Sequence, residues 1–154
     1  MRHDPQAVLG APAHVTIHFP WLPAATVDAS ALDRVAEMAA ATRPFVVSFA
    51  ETRWFDDGLV LWLAPTPDRD FIELSERSAA MWPEAPLYGG AFDGITPHLT
   101  IGEVTDGGDD ANLRAAEREL SEQLPIRASA TEIWLMRLDI DGRWNRAATF
   151  PLGG

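Results

Sequence analysis

The chain has 154 residues, within the ~100–200 usual for one domain, and its 47% hydrophobic and 23% charged residues exclude a disordered protein. Cysteine is absent, which excludes disulfides, thiolate metal sites and a cysteine nucleophile. Twelve arginines, no lysine and 23 acidic residues leave a formal charge of −11, so no broad electrostatic binding to duplex DNA or an anionic membrane is expected. A small anionic ligand held by a few local donors stays open. The longest apolar run, Leu59 to Pro65, falls well short of the ~20 residues that span a bilayer. No apolar signal region follows Met1, and a cytoplasmic monomer is expected.

Residues 14–22 alternate, with Val15, Ile17 and Phe19 on one side and His14, Thr16 and His18 on the other. That period predicts a half-buried strand closed by Pro20 and Pro23. A helix is predicted from Asp28, its N-cap, with Leu32, Val35, Ala36 and Ala39 on one face and Pro44 as the stop. Residues 45–52 and 59–64 are rich in β-formers and read as a hairpin through Asp57-Gly58. Asp68 caps a second helix whose Phe71, Leu74, Ser78 and Met81 share a face, with Pro83 at its end. Pro86-Leu87-Tyr88-Gly89-Gly90 is a loop. A short strand follows over 98–104, with Leu99 and Ile101 opposed to His98, Thr100 and Gly102. The acidic run 106–110 leads to a third helix starting at Asp109 or Asp110, with Leu113, Ala116, Leu120 and Leu124 as its stripe. Residues 126–138 and 143–150 are strand-like and meet at the turn pair Asp141-Gly142.

The order of elements repeats. Pro44, Ser48 and Glu51 recur as Pro125, Ser129 and Glu132, Glu37 recurs as Glu117, and His14-x-Thr16 recurs as His98-x-Thr100. Each half reads strand–helix–strand–strand, with an extra helix ending the first. A period near 80 residues is too long for a solenoid and implies two related lobes in one domain, 1–154. Lobe one covers approximately 12–85 and lobe two approximately 96–150.

Four histidines and sixteen serines and threonines would give fewer than one His-x-Ser/Thr triplet by chance; there are two, in equivalent places of the half-repeats. On a strand, residues i and i+2 share a face, so each lobe offers an imidazole beside a hydroxyl while the residues between anchor the core. Two histidines across one cleft suit chemistry at a phosphodiester. In-line displacement puts the attacking and leaving oxygens on opposite sides of phosphorus. One imidazole removes a proton from the nucleophile and the other protonates the leaving oxygen, and an unperturbed pKa near 6.5 serves both tasks at neutral pH. Threonine hydroxyls donate to the non-bridging oxygens. No metal or cofactor is needed. The competing reading, two structural histidines beside strand-favouring threonines, leaves the repeat unaccounted for.

The motifs His14-Val15-Thr16-Ile17 and His98-Leu99-Thr100-Ile101 resemble the tandem His-x-Ser/Thr-x signature of the 2H phosphoesterase superfamily, in particular its 2′-5′ RNA ligase-like and cyclic phosphodiesterase branch. The resemblance runs from about residue 12 to 150 and takes in the loop Tyr88-Gly89-Gly90-x-Phe92. It implies an α/β (α+β) fold, bilobal with pseudo-two-fold symmetry, in which two antiparallel sheets line a central cleft and helices pack outside. It also implies metal-free cleavage or formation of 2′-linked or 2′,3′-cyclic phosphodiesters in a small nucleotide or RNA end. His14 and His98 are then catalytic, and Thr16 and Thr100 bind the phosphate. Two alternatives stay beside this reading: a nucleotide-binding protein with little turnover, and ligation by the reverse reaction. The motif's symmetry breaks two residues on, where His18 corresponds to Gly102.

Other candidates are weaker. His18 shares a side with His14, but His-x3-His on a strand without an accompanying glutamate is a poor zinc site, so it is expected as a rim residue that touches substrate. Tyr88 is a candidate for stacking on a base or for anchoring its loop. The tryptophans are expected mostly in core or sheet-edge packing, with Trp21 and Trp54 the ones to inspect near the cleft. Arg53, Arg127 and Arg137 lie on predicted strands within reach of a phosphate, a solvated or salt-bridged role being the commoner expectation for each. His3 is expected to be solvated in its tail.

Overall fold

The computed structural model describes residues 4–55, 58–104 and 110–153. Asp57 of the predicted turn, His3 and residues 105–109 lie outside them. The helices begin as local chemistry dictates. Asp4 is buried and its Oδ1 accepts from the Gln6 N–H at 2.9 Å, opening α1 (Pro5–Val8), where proline sits at a position whose N–H has no helical partner. Asp28 caps α2 (Ala29–Ala40) by accepting from the Ala31 N–H at 2.8 Å. The buried face of α2 is Ala31, Val35, Met38 and Ala39; Ala36, expected inside, is exposed. Met38 carries far more apolar surface than Ala36, so its burial sets the helix rotation.

A hairpin follows, β1 (Phe45–Trp54) and β2 (Val60–Thr66), as the apolar runs predict. Asp68 precedes α3 (Arg69–Met81) but its side chain makes no capping bond. After β3 (Leu99–Glu103), α4 (Ala111–Ser121) starts in the same way: Asp110 does not cap and instead pairs with Arg114 at 2.9 Å. The predicted strand 126–138 is two strands, β4 (Ile126–Ala130) and β5 (Glu132–Leu138), divided at Thr131, and β6 (Trp144–Pro151) closes the chain. β5 and β6 form the expected antiparallel hairpin, with Gly142 at φ +72° in its turn.

The strands build two antiparallel sheets, a four-stranded one in the order β3-β2-β1-β4 and the two-stranded β5-β6. This is a mixed α+β fold. The larger sheet draws β1 and β2 from the first half of the sequence and β3 and β4 from the second, so sheet membership crosses between the halves. Residues 126–138 look uniform in sequence because periodicity records alternation and not the ladder partner; β4 pairs with β1, and β5 pairs with β6.

The segment 14–22 is not a strand of either sheet; it runs without helix or strand and bends over 17–20. Val15 and Ile17 still point inward, but the alternation ends there. Phe19, expected to follow them, is 48% exposed and lies edge-on to Trp144 at 6.5 Å.

Two apolar clusters hold the fold. In the first, Val35 and Ala39 of α2 meet Trp82, Phe150 and Leu152. In the second, Val47, Phe49 and Leu63 meet Phe71 of α3, with Leu120 and Leu124 from the α4 side. Phe45 touches both clusters and meets Phe71 edge-on at 4.9 Å. Each fully buried large side chain contributes about 1.5–3 kcal/mol, so the clusters outweigh the exposed ion pairs, at about 0–1 kcal/mol each.

The C-terminal segment is locked to α2. The Gly153 N–H donates to the Ala39 carbonyl at 3.1 Å and the Thr42 carbonyl at 2.9 Å, and a Cβ on Gly153 would lie 1.7 Å from the Ala40 carbonyl oxygen. Backbone must therefore move in Gly153→Ala. The variant should lose about 1–3 kcal/mol, read as a lower urea midpoint at unchanged slope. A midpoint equal to wild type would show that the segment does not support α2.

Candidate active site

Both His-x-Thr segments rest on the second apolar cluster. Val15 and Ile17 pack against it from one segment, Leu99 and Ile101 from the other. Alternation then turns His14 and Thr16, and likewise His98 and Thr100, away from that core. The two motifs thus share one foundation, although only the second belongs to a sheet.

The two imidazoles are held alike. His14 Nδ1 lies 2.7 Å from the Pro12 carbonyl oxygen, and His98 Nδ1 lies 2.7 Å from the Thr96 carbonyl oxygen, each two residues upstream. A carbonyl only accepts, so both Nδ1 atoms carry hydrogen, and in the neutral ring each Nε2 is the acceptor. Among the described residues neither Nε2 is hydrogen-bonded, and neither the Thr16 nor the Thr100 hydroxyl has a partner. His14 is exposed and His98 half-buried.

Cross-strand register sets what surrounds His98. Thr100 pairs with Trp62 of β2, and Trp62 pairs with Arg53 of β1, so these three side chains form a row across one face of the sheet. The opposite face carries Val47, Phe49 and Leu63 toward α3 and α4. Phe55 meets His98 edge-on at 5.1 Å and stacks on Trp62 at 5.1 Å, while Trp62 approaches His98 edge-on at 6.1 Å. Trp62 is 5% exposed, and its Nε1–H is buried without an acceptor among the described residues. A cavity of about 350 Å³ opens beside this row, lined by Arg53, Trp62, Thr66, Asp68, Thr96 and Pro97.

Phe55 and Trp62 are neighbours of His98 that sequence reasoning missed. Trp62 sits inside a continuous apolar run, and only its register opposite Thr100 marks it. The tryptophans singled out from sequence lie elsewhere. Trp21 packs edge-on against Trp82 at 5.0 Å in the first cluster. Trp54 donates to Glu117 of α4 at 3.1 Å and lies 4.4 Å under the Arg114 guanidinium. Arg137 pairs with Asp139 at 3.3 Å.

His18 is a bridge and not an open rim residue. Its Nε2–H donates to the Ala85 carbonyl at 2.6 Å, and its Nδ1 accepts from the buried Ser78 hydroxyl of α3 at 2.7 Å. Both ring nitrogens are thus engaged. They tie the end of the His14 segment to α3 and the loop after it. Tyr88 reinforces the same connection: its backbone N–H donates to the Phe19 carbonyl at 2.6 Å, and its half-buried ring meets Phe92 edge-on at 5.7 Å. Tyr88, Gly89 and Gly90 are all left-handed, at φ +50°, +65° and +77°. Tyrosine disfavours that region, so the loop's tertiary contacts must hold it there. Burial raises the Tyr88 phenol above its usual pKa of 10.0, which keeps it a proton donor.

Two histidines whose segments pack on one core, each bonded at Nδ1 to a carbonyl and each followed two residues on by a threonine, carry the doubled pattern that defines the 2H phosphoesterase class. A family model for the 2′-5′ RNA ligase superfamily matches residues 1–142, and the chain belongs to that superfamily. No curated protein matches it. Among the described residues no helix is long and apolar enough to cross a membrane.

Burial lowers the His18 pKa from 6.5, partly offset by the Ala85 hydrogen bond. The folded state therefore favours the neutral ring. As pH falls below 6.5 the unfolded chain binds this proton more readily, and stability declines until the pH passes the lowered folded-state value. His18→Gln keeps an acceptor and a donor but does not titrate. Its urea midpoint should fall less than that of wild type between pH 7 and pH 5, and parallel curves would refute this role for His18.

Proposed function

We propose that the protein is a metal-independent phosphodiesterase acting on 2′,3′-cyclic phosphate ends or 2′-5′ linked nucleotides. The observation that carries this reading is the matched setting of His14 and His98, each with Nδ1 bonded to the carbonyl two residues upstream. A carbonyl accepts from Nδ1–H in the neutral ring and in the imidazolium alike. Each ring therefore keeps its orientation while Nε2 gains or loses a proton, as a general acid–base pair requires.

For a cyclic phosphate, the neutral histidine takes a proton from water as the water oxygen bonds to phosphorus. The phosphorus–oxygen bond to one ribose oxygen breaks, and the protonated histidine delivers its proton from Nε2 to that oxygen. The product is a phosphomonoester, and the two rings end with their protonation exchanged. Thr16 and Thr100 donate to the non-bridging oxygens as charge builds there. Ligation is the same opening of the cyclic phosphate with a ribose hydroxyl in place of water, and cleavage of a 2′-5′ linkage back to the cyclic phosphate is its reverse, with the proton traffic reversed.

His14→Ala and His98→Ala should each lower turnover of a 2′,3′-cyclic nucleotide roughly 10²–10⁴-fold with the fold intact. The double variant should lose far less than the product of the single losses, because the pair acts as a unit. Thr16→Ala and Thr100→Ala should cost less than either histidine. The pH profile should be bell-shaped, with both apparent pKa values belonging to the pair. Activity should survive a chelator. Near-wild-type turnover in either histidine variant, or loss of activity on metal removal, would refute the mechanism. Nucleotide binding without turnover on any cyclic or 2′-5′ substrate would leave a binding protein.

A further inference from the structure

The face of the larger sheet that carries Thr100 continues past it. Across three adjacent strands Thr100, Trp62 and Arg53 stand in register, so Arg53 begins two strand spacings, about 10 Å, from Thr100. Its guanidinium lies 5.7 Å from the centre of the Trp62 ring and lines the cavity with the hydroxyl-bearing Thr66 and Thr96. Thr96 is also the residue whose carbonyl holds His98. Further along the same face Arg127 pairs in register with Ser48, and among the described residues it makes no ion pair. In a chain of net charge −11, two arginines and several hydroxyls are gathered on the face that bears the second motif.

We infer that the cavity beside His98 is a second anion subsite, which takes the phosphate adjoining the scissile one in an oligonucleotide end and uses Arg53 as its cation. The inference rests on the proposed phosphodiester chemistry at His98 and Thr100. A sugar and its phosphate can bridge the interval between the two positions. Two carboxylates bear on the subsite. Asp68 lines the cavity, and Glu51 accepts from Arg53 Nε at 2.7 Å and from Nη2. The Glu51–Arg53 pair is more than half exposed on both sides, so it binds weakly. It occupies one edge of the guanidinium and leaves the Nη1 donors for a phosphate oxygen. Glu51 thereby points the guanidinium and also weakens its charge.

The test compares three substrates: adenosine 2′,3′-cyclic phosphate, the dinucleotide ApA ending in a 2′,3′-cyclic phosphate, and the same dinucleotide with a neutral methylphosphonate between its nucleosides. For the wild type, kcat/KM should be roughly tenfold higher for the dinucleotide than for the mononucleotide, mostly through KM, and the gain should shrink with added salt. The methylphosphonate should lose the gain. In Arg53→Gln the ratio between dinucleotide and mononucleotide should fall toward one, and in Glu51→Gln it should rise. An advantage that persists with the methylphosphonate would place base contacts, not a phosphate, in the cavity and overturn the inference. Equal ratios in wild type and Arg53→Gln would overturn it too, and turnover of the mononucleotide would leave the proposed function standing. If none of the three turns over, the cyclic-phosphate reading of the proposed function fails, and calorimetric affinities of the same ligands decide the subsite. A gain for the charged dinucleotide that depends on Arg53 upholds it, and equal affinities overturn it.

Discussion

The apolar cluster of Val47, Phe49, Leu63 and Phe71 is the constraint on which the site depends. Residues from both His-x-Thr segments are buried against it, Val15 and Ile17 from one and Leu99 and Ile101 from the other. An extended chain cannot bury alternate residues in a core without presenting the intervening ones on the other side. The same packing that stabilises the protein therefore aims two imidazoles and two hydroxyls away from the core. The placement of both motifs is a by-product of burial, and a change that loosens Phe71 or Leu63 reaches both histidine segments at once.

The two motifs achieve this by different means. The second is secured by a ladder, with Leu99 and Thr100 paired to Leu63 and Trp62. The first has no ladder. In its place stand the bridge from His18 to Ser78 and Ala85 and the bond from Tyr88 to the Phe19 carbonyl. A few polar bonds resist displacement less than a sheet does, so the His14 side is the more adjustable half of the pair. The third histidine, which looks in sequence like part of the chemistry, serves to hold the first in place.

Electrostatics works locally against the global charge. At −11 the chain repels polyanions at long range, yet the face bearing Thr100 gathers Arg53 and Arg127. With a Debye length of about 8 Å at physiological salt, charges elsewhere on the surface are largely screened from a phosphate seated on that face. On the proposed function, this combination suits a short phosphoester held by a few fixed donors better than extended nucleic acid.

Much of this was legible without coordinates. The amphipathic periods of α2, α3 and α4, the β1–β2 and β5–β6 hairpins, and the doubled His-x-Thr motif are local properties, because side-chain period and turn chemistry are written in neighbouring residues. The family follows from the same motif and its spacing. Tertiary structure decided what depends on distant partners. It divided residues 126–138 between two sheets, and it left 14–22 outside both. It turned His18 into a tether, because Ser78 and Ala85 lie 60 and 67 residues away in sequence. It set Trp62 and Phe55 beside His98 and aligned Arg53 with Thr100 through strand register. Register and packing are relations between segments that meet only when the chain folds, so no local pattern contains them.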